Sequence, residues 1–207
     1  MINRRWRATL WLILLLPSFS FAAKKQPLTS VADLRYGVAL YQYYQGHHFE
    51  ALSALLKAAF HGGIYGHGDN PEIMLGGFYM AYGLDRTASD IFERLLDENR
   101  PEKTRNAAWY YMAQLRYTRG DEEATRDAIA RIGSNVTPQL ADELTALKIN
   151  LAIKEQDLAG AAAQLQAVDF EKPWAPYLTY NLASALARDE QFTQAIQYYS
   201  RLAQMRH

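Results

Sequence analysis

One spaced pattern recurs five times along this chain, and a recurrence of that length restricts the fold more than any other feature. It is clearest in Tyr177–Met205, YLTYNLASALARDEQFTQAIQYYSRLAQM. There Leu182, Ala183 and Leu186 recur at helical spacing, and the polar turn Arg188-Asp189-Glu190-Gln191 follows. Phe192, Ala195, Ile196, Tyr199 and Leu202 then line one stripe of a second helix. With Ala195 as anchor, Ala161, Ala124, Ala88 and Ala51 have the same surroundings, at spacings of 34, 37, 36 and 37 residues. Twelve residues before the anchors stand Ala183, Ile149, Gly76 and Ala39, and a one-residue deletion in the third turn brings Ala113 to the same place. Four residues after them stand Tyr199, Leu165, Ala128, Phe92 and Leu55, and Gly46, Gly83 and Gly120 mark three of the turns. One helical hairpin cannot bury its apolar face alone, whereas stacked hairpins can. The expected fold is therefore all-α, a solenoid of about five antiparallel hairpins.

Small residues are expected where the two helices of a hairpin cross: Ala39, Ala51, Gly76, Ala88, Ala113, Ala124, Ala161, Ala183 and Ala195. On these positions and the apolar ones around them, residues 30–206 resemble the tetratricopeptide repeat (TPR) family. Ile149 and Gln156 depart from the family's small residue and turn glycine. The resemblance implies a right-handed superhelix that acts as a binding scaffold and not as an enzyme. Its units would lie at about 30–61, 70–100, 103–134, 138–170 and 174–207, preceded by a linker at 23–29.

Residues 1–22 read as an export signal peptide. Arg4, Arg5 and Arg7 form a basic head, Leu10–Leu16 an apolar centre, Pro17 a break, and Ser20-Phe21-Ala22 a small-x-small cleavage site. An uncleaved membrane anchor is the competing reading. The charge-free run from Ala8 to Ala23 has 16 residues, fewer than the ~20 that span a bilayer comfortably. Arg7 stands where a twin-arginine signal wants an apolar side chain, which favours ordinary secretion. The expected location is the bacterial periplasm, with membrane contact only through an uncleaved signal. The chain has no cysteine, so lipoprotein modification and disulfides are excluded. Of its 22 basic residues three fall in the signal, which leaves 19 against 22 acidic ones. That balance, with no basic block after Lys24-Lys25, argues against nucleic acid as a partner. At 49% hydrophobic residues the chain is no disordered one.

Capping signals agree with the repeat. Ser30 and Asp33 resemble a capping box, Asn70-Pro71-Glu72 opens a second unit and Thr137-Pro138 a fourth. The segment His61–Glu72, HGGIYGHGDNPE, interrupts the helical pattern with four glycines. It lacks the ending of a phosphate-binding loop and follows a helix, so it reads as an elongated link or a contact surface. Any metal site would use His61, His67 and Asp69, set against solvated histidines and a capping aspartate. No metal or other cofactor is expected. Ser53, Ser89 and Ser184 fall inside helices without the base and acid that a nucleophile needs.

In the TPR family the first helices line the concave side, exposing positions three before, one after and four after the crossing residue. Carried over, these are Tyr36, Leu40 and Tyr43; Ile73, Gly77 and Met80; Tyr110, Gln114 and Tyr117; Ala146, Asn150 and Ile153; and Tyr180, Ser184 and Ala187, with Tyr177 one turn earlier. The resemblance thus implies an aromatic groove in which tyrosines offer area and a polar tip, and Gln114 and Asn150 can bond a peptide backbone. The expected partner is a protein or peptide segment, with a glycan as the alternative ligand. The lysine-and-asparagine clamp that some family members use for an acidic chain terminus is absent. Half of these tyrosines packing between units is the competing reading. Met205-Arg206-His207 falls within the fifth unit's second helix. Two expectations follow: self-association through that uncapped face, or continuation into a longer protein.

Overall fold

The computed structural model describes residues 31–204, so the export-signal segment, the linker, Ser30 and Met205-Arg206-His207 lie outside the described residues. Among the described residues ten helices form five hairpins: α1 (Leu34–Tyr44) and α2 (His48–Phe60), α3 (Asn70–Ala81) and α4 (Asp85–Leu95), α5 (Glu102–Arg119) and α6 (Glu122–Ala130), α7 (Pro138–Lys154) and α8 (Leu158–Gln166), α9 (Ala175–Arg188) and α10 (Phe192–Gln204). There is no strand among the described residues. Each second helix packs on the first helix of the next hairpin, and α3, α5, α7 and α9 touch in series. That is the all-α repeat solenoid.

The five hairpin turns are alike in backbone. Gly46, Gly83 and Gly120 take left-handed φ of 78°, 72° and 81°, and Gln156 and Glu190 take the same conformation at 62° and 61°. In each turn the next N–H reaches back five residues, as His47 to Gln42, Asp157 to Ala152 and Gln191 to Leu186. This is the Schellman closure of a helix C-terminus. So the absent glycine at Gln156 and Glu190 changes the strain of the turn and not its shape.

The turns also correct the repeat frame. The left-handed residue stands five before a buried anchor at Ala51, Ala88, Ala161 and Ala195, and in the third hairpin that position is Thr125, not Ala124. Thr125 is fully buried while Ala124 is half-exposed. A hydroxyl is tolerated there because Thr125 Oγ1 donates to the Asp121 carbonyl at 2.6 Å. With Thr125 as anchor, Ala113 lies twelve residues before it and no deletion is needed.

The remaining crossing residues, Ala39, Gly76, Ala113 and Ala183, are all buried. Ile149 is also fully buried, in one cluster with the small residues Ala161 and Ala162 of α8. At Gly76 the crossing has no room for a side chain: an added Cβ would lie 2.6 Å from two ring carbons of Phe92. That ring is itself stacked on Tyr111, with centroids 4.9 Å apart.

Two caps move by one or more residues. Asp33 is itself the N-cap of α1, accepting from Arg35 N–H at 2.9 Å. Asp69, not Asn70, precedes α3. Its carboxylate pairs with Arg100 and accepts from Thr104 Oγ1 at 2.8 Å, tying α3 to α5. Thr137 caps α7 as expected, accepting from Leu140 N–H at 3.2 Å.

The glycine-rich segment is latched onto the start of α1. Asp33 accepts from Tyr65 N–H at 3.0 Å, and Arg35 donates to the His61 carbonyl at 3.3 Å. The Arg35 guanidinium and the Tyr65 N–H hold the Asp33 carboxyl well below the usual carboxylate range.

Candidate functional site: the inner surface

Three depressions lie along the first helices, and two of them adjoin, sharing Asn70, Ile73, Tyr111 and Gln139. One of about 660 Å³ is walled by Tyr43, Tyr44, His48, Phe78, Tyr82 and Tyr111, with no Asp, Glu, Lys or Arg in its lining. Its floor includes Gly77, where an added Cβ would meet nothing within 4 Å. A smaller one of about 250 Å³ follows between Asn70, Lys103, Tyr111, Gln139 and Glu143. The third, of about 760 Å³, is lined by Tyr117, Asn150, Lys154, Tyr180, Asn181 and Arg188. The inner surface therefore has an aromatic, neutral half and a half rich in amides and cations.

Two of the expected groove residues are not exposed. Tyr36 is 7% exposed and packs with Leu52, Leu55 and Phe78, its ring 4.6 Å from that of His67. Only its edge reaches the aromatic depression. Tyr110 is 3% exposed and fills the space between α5 and α7 with Leu140 and Leu147. Its hydroxyl accepts from Gln114 Nε2 at 2.6 Å, so Gln114 is engaged within its own helix. Burial, with Glu143 nearby, raises the Tyr110 hydroxyl above its ordinary range; the same causes push Tyr111 up to about 12. Both stay neutral in any physiological medium.

The other expected residues reach the surface in two groups. Tyr43 stands at the aromatic end, edge-on to Phe78 at 5.9 Å. Tyr117, Asn150 and Tyr180 meet at the amide end. There Asn150 Oδ1 accepts from Asn181 Nδ2 at 3.1 Å, and Lys154 Nζ sits 4.7 Å from the Tyr117 ring centroid. Tyr180 is half-exposed and Tyr177 is 73% exposed, outside the lining of the depression.

Positions two before and five after the crossing residue were not anticipated. Met74, Tyr111 and Asn181 occupy the first, and Tyr44, Lys154 and Arg188 the second; all line a depression. Two before and five after are seven apart, so they share one helix stripe beside the expected one. The signal was present in the repeat alignment, but the exposed stripe is wider than three positions.

The histidine set does not converge. Asp69 is engaged by Arg100 and Thr104, and His67 Nε2 accepts from Asp33 N–H at 3.2 Å. Among the described residues no group of three or more His, Cys, Asp or Glu is placed to hold a metal ion.

No protein-family model matches this chain, and neither does any curated protein. Solved structures do. A Podosopora anserina protein assigned as a kinesin light chain, with nearly identical TPR-like repeats, aligns at a TM-score of 0.57 and 14% identity. The alignment covers 82% of this chain and 92% of that one, and a single-substitution variant of the same protein aligns equally. With the hairpin pairing and five equivalent turns, this likeness establishes the architecture: the chain is a TPR-like helical repeat solenoid.

Proposed function

We propose that this protein is a non-enzymatic scaffold that binds an extended peptide segment of a partner protein along its inner surface. The observation that carries the reading is the alignment of three open depressions on consecutive first helices, aromatic at one end and amide-rich at the other. An extended chain suits a long shallow groove. Aromatic walls take apolar side chains, while Asn150 and Asn181 offer amides to a backbone. The export signal read in residues 1–22 supports a periplasmic location, and with it a role in an envelope assembly.

A second reading has one observation in its favour. The neutral aromatic depression, with Asn70 and Gln139 at its edge, also fits sugar rings, whose faces stack on tyrosines and whose hydroxyls bond amides.

Selection of peptides from a displayed library against residues 23–207, beside a glycan array, separates the two. The peptide reading expects enriched sequences bearing apolar anchors. Their binding is lost in Gly77→Leu, whose Cβ enters open space on the floor and whose side chain occupies the depression. Enrichment on the glycan array alone, abolished by the same variant, would replace it with the sugar reading.

A further inference from the structure

Among the described residues, Gln156 and Glu190 are the two side chains with a Cβ on a left-handed backbone, at φ 62° and 61°. In that conformation a Cβ crowds the following carbonyl, and the three sister turns avoid the strain with Gly46, Gly83 and Gly120. The turn at Gln156 is closed by backbone bonds alone: Gln156 N–H donates to the Ile153 carbonyl at 3.2 Å and Asp157 N–H to the Ala152 carbonyl at 2.9 Å. Glycine would make both, so the turn itself does not call for the carboxamide. Strain of this kind is kept at functional positions, where a side chain is worth more to binding than it costs in stability. Position separates the two residues. Gln156 lines the third depression together with Tyr117, Asn150, Tyr180 and Asn181, whereas Glu190 and the three turn glycines are in the lining of none.

The chemistry of that lining points to a neutral, dipolar ligand group. Its charges are matched: Lys154 pairs with Glu122 at 3.3 Å, and Asp189 stands in the same lining as Arg188. Its carboxamides are not used up. Asn181 Nδ2 donates to Asn150 Oδ1 at 3.1 Å, which leaves the Asn150 amide hydrogens and the Asn181 carbonyl to a ligand. An extended main chain presents one N–H and one C=O per residue, and a carboxamide holds a donor and an acceptor in one plane to meet both. We propose that the Gln156 carboxamide pairs with a main-chain N–H and C=O of the bound segment where that segment passes between Tyr117 and Tyr180. The assignment rests on the reading of the inner surface as a peptide groove. It adds to that groove a contact from the turn between two helices, outside the stripe of first-helix positions.

The probe is the tightest peptide enriched on residues 23–207 from the displayed library whose binding Asn150→Ala/Tyr180→Ala weakens. Its affinity is measured by calorimetry for the parent, Gln156→Gly and Glu190→Gly. The two variants make the same backbone change in equivalent turns, and only the first removes a side chain from the depression. Gln156→Gly should bind about three- to tenfold more weakly, the worth of one or two hydrogen bonds, and Glu190→Gly should bind as the parent does. Urea midpoints no lower than the parent's show that the loss is not one of folding. The peptide is then N-methylated one residue at a time. One position should weaken binding to the parent and leave binding to Gln156→Gly unchanged, the non-additivity of two groups that touch. Equal affinity of the parent and Gln156→Gly overturns the assignment and leaves the groove standing, as does a loss shared equally by Glu190→Gly. Additive losses at every methylated position overturn the main-chain pairing. If no enriched peptide depends on Asn150 and Tyr180, the groove reading and this assignment fall together.

Discussion

A side chain with a Cβ pays about 1–2 kcal/mol to adopt the left-handed backbone, and Gln156 and Glu190 both adopt it where three sister turns have glycine. Gln156→Gly and Glu190→Gly should each raise the unfolding free energy by about 0.5–1 kcal/mol, the strain relieved less the chain entropy that glycine adds. Urea midpoints measure this, and a fall in both variants would mean that the side chains hold the turns by other contacts. Gly76 is the opposite case. Gly76→Ala should destabilise by about 1–3 kcal/mol, because its methyl group meets a Phe92 ring that is already stacked on Tyr111. Asp33 carries a pH dependence. Its folded-state pKa lies below the unfolded value of about 3.9, so its contribution is present above that value and fades as pH falls toward the folded one. The melting temperature of Asp33→Asn should lie below that of the parent at neutral pH. That gap should narrow below about pH 4; a gap that persists in acid would contradict the role of the carboxylate charge.

At the scale of the hairpin, the register of α6 decides whether the frame drawn from the turns is right. Thr125→Leu should destabilise by about 1–3 kcal/mol by wedging a crossing with no free space, whereas Ala124→Leu, on the half-exposed neighbour, should cost less than about 1 kcal/mol. Reversed magnitudes would restore the frame anchored on Ala124. The hairpins were legible in the sequence because period-3.6 stripes and small crossing residues repeat. The third anchor was not, because a buried threonine looks polar until its hydroxyl is seen bonded to Asp121. Caps were displaced for a similar reason: Asp33 and Asp69 stand three residues after and one before the expected capping residue, and each carboxylate has a long-range partner, Tyr65 N–H and Arg100, that short-range pattern does not show. The inner surface was legible in outline only. Whether a tyrosine at a given position faces the groove or its neighbour depends on the size of what α7 and α2 place opposite it. Leu140 and Leu147 enclose Tyr110, while the ring of Tyr43 is left in the open.

From Leu34 to Gln204 the molecule is a row of equivalent hairpins whose first helices share one face. A surface built in this way varies smoothly in shape while its chemistry changes by substitution at equivalent positions. Here it runs from tyrosine, histidine and phenylalanine at α1–α3 to asparagine, lysine and arginine at α7–α9. The proposed scaffold role lives on that gradient. Its most direct test is capture from envelope extract with residues 23–207, beside the variants Tyr43→Ala/Tyr44→Ala and Asn150→Ala/Tyr180→Ala. These change exposed or half-exposed side chains at the two ends and leave Tyr36 and Tyr110 in the core. The proposal predicts a protein held by the parent and lost, or released at least about tenfold faster, with either variant, since each removes groove contacts worth over about 1.4 kcal/mol. A protein held equally by all three would contradict it and move the interface away from the inner surface.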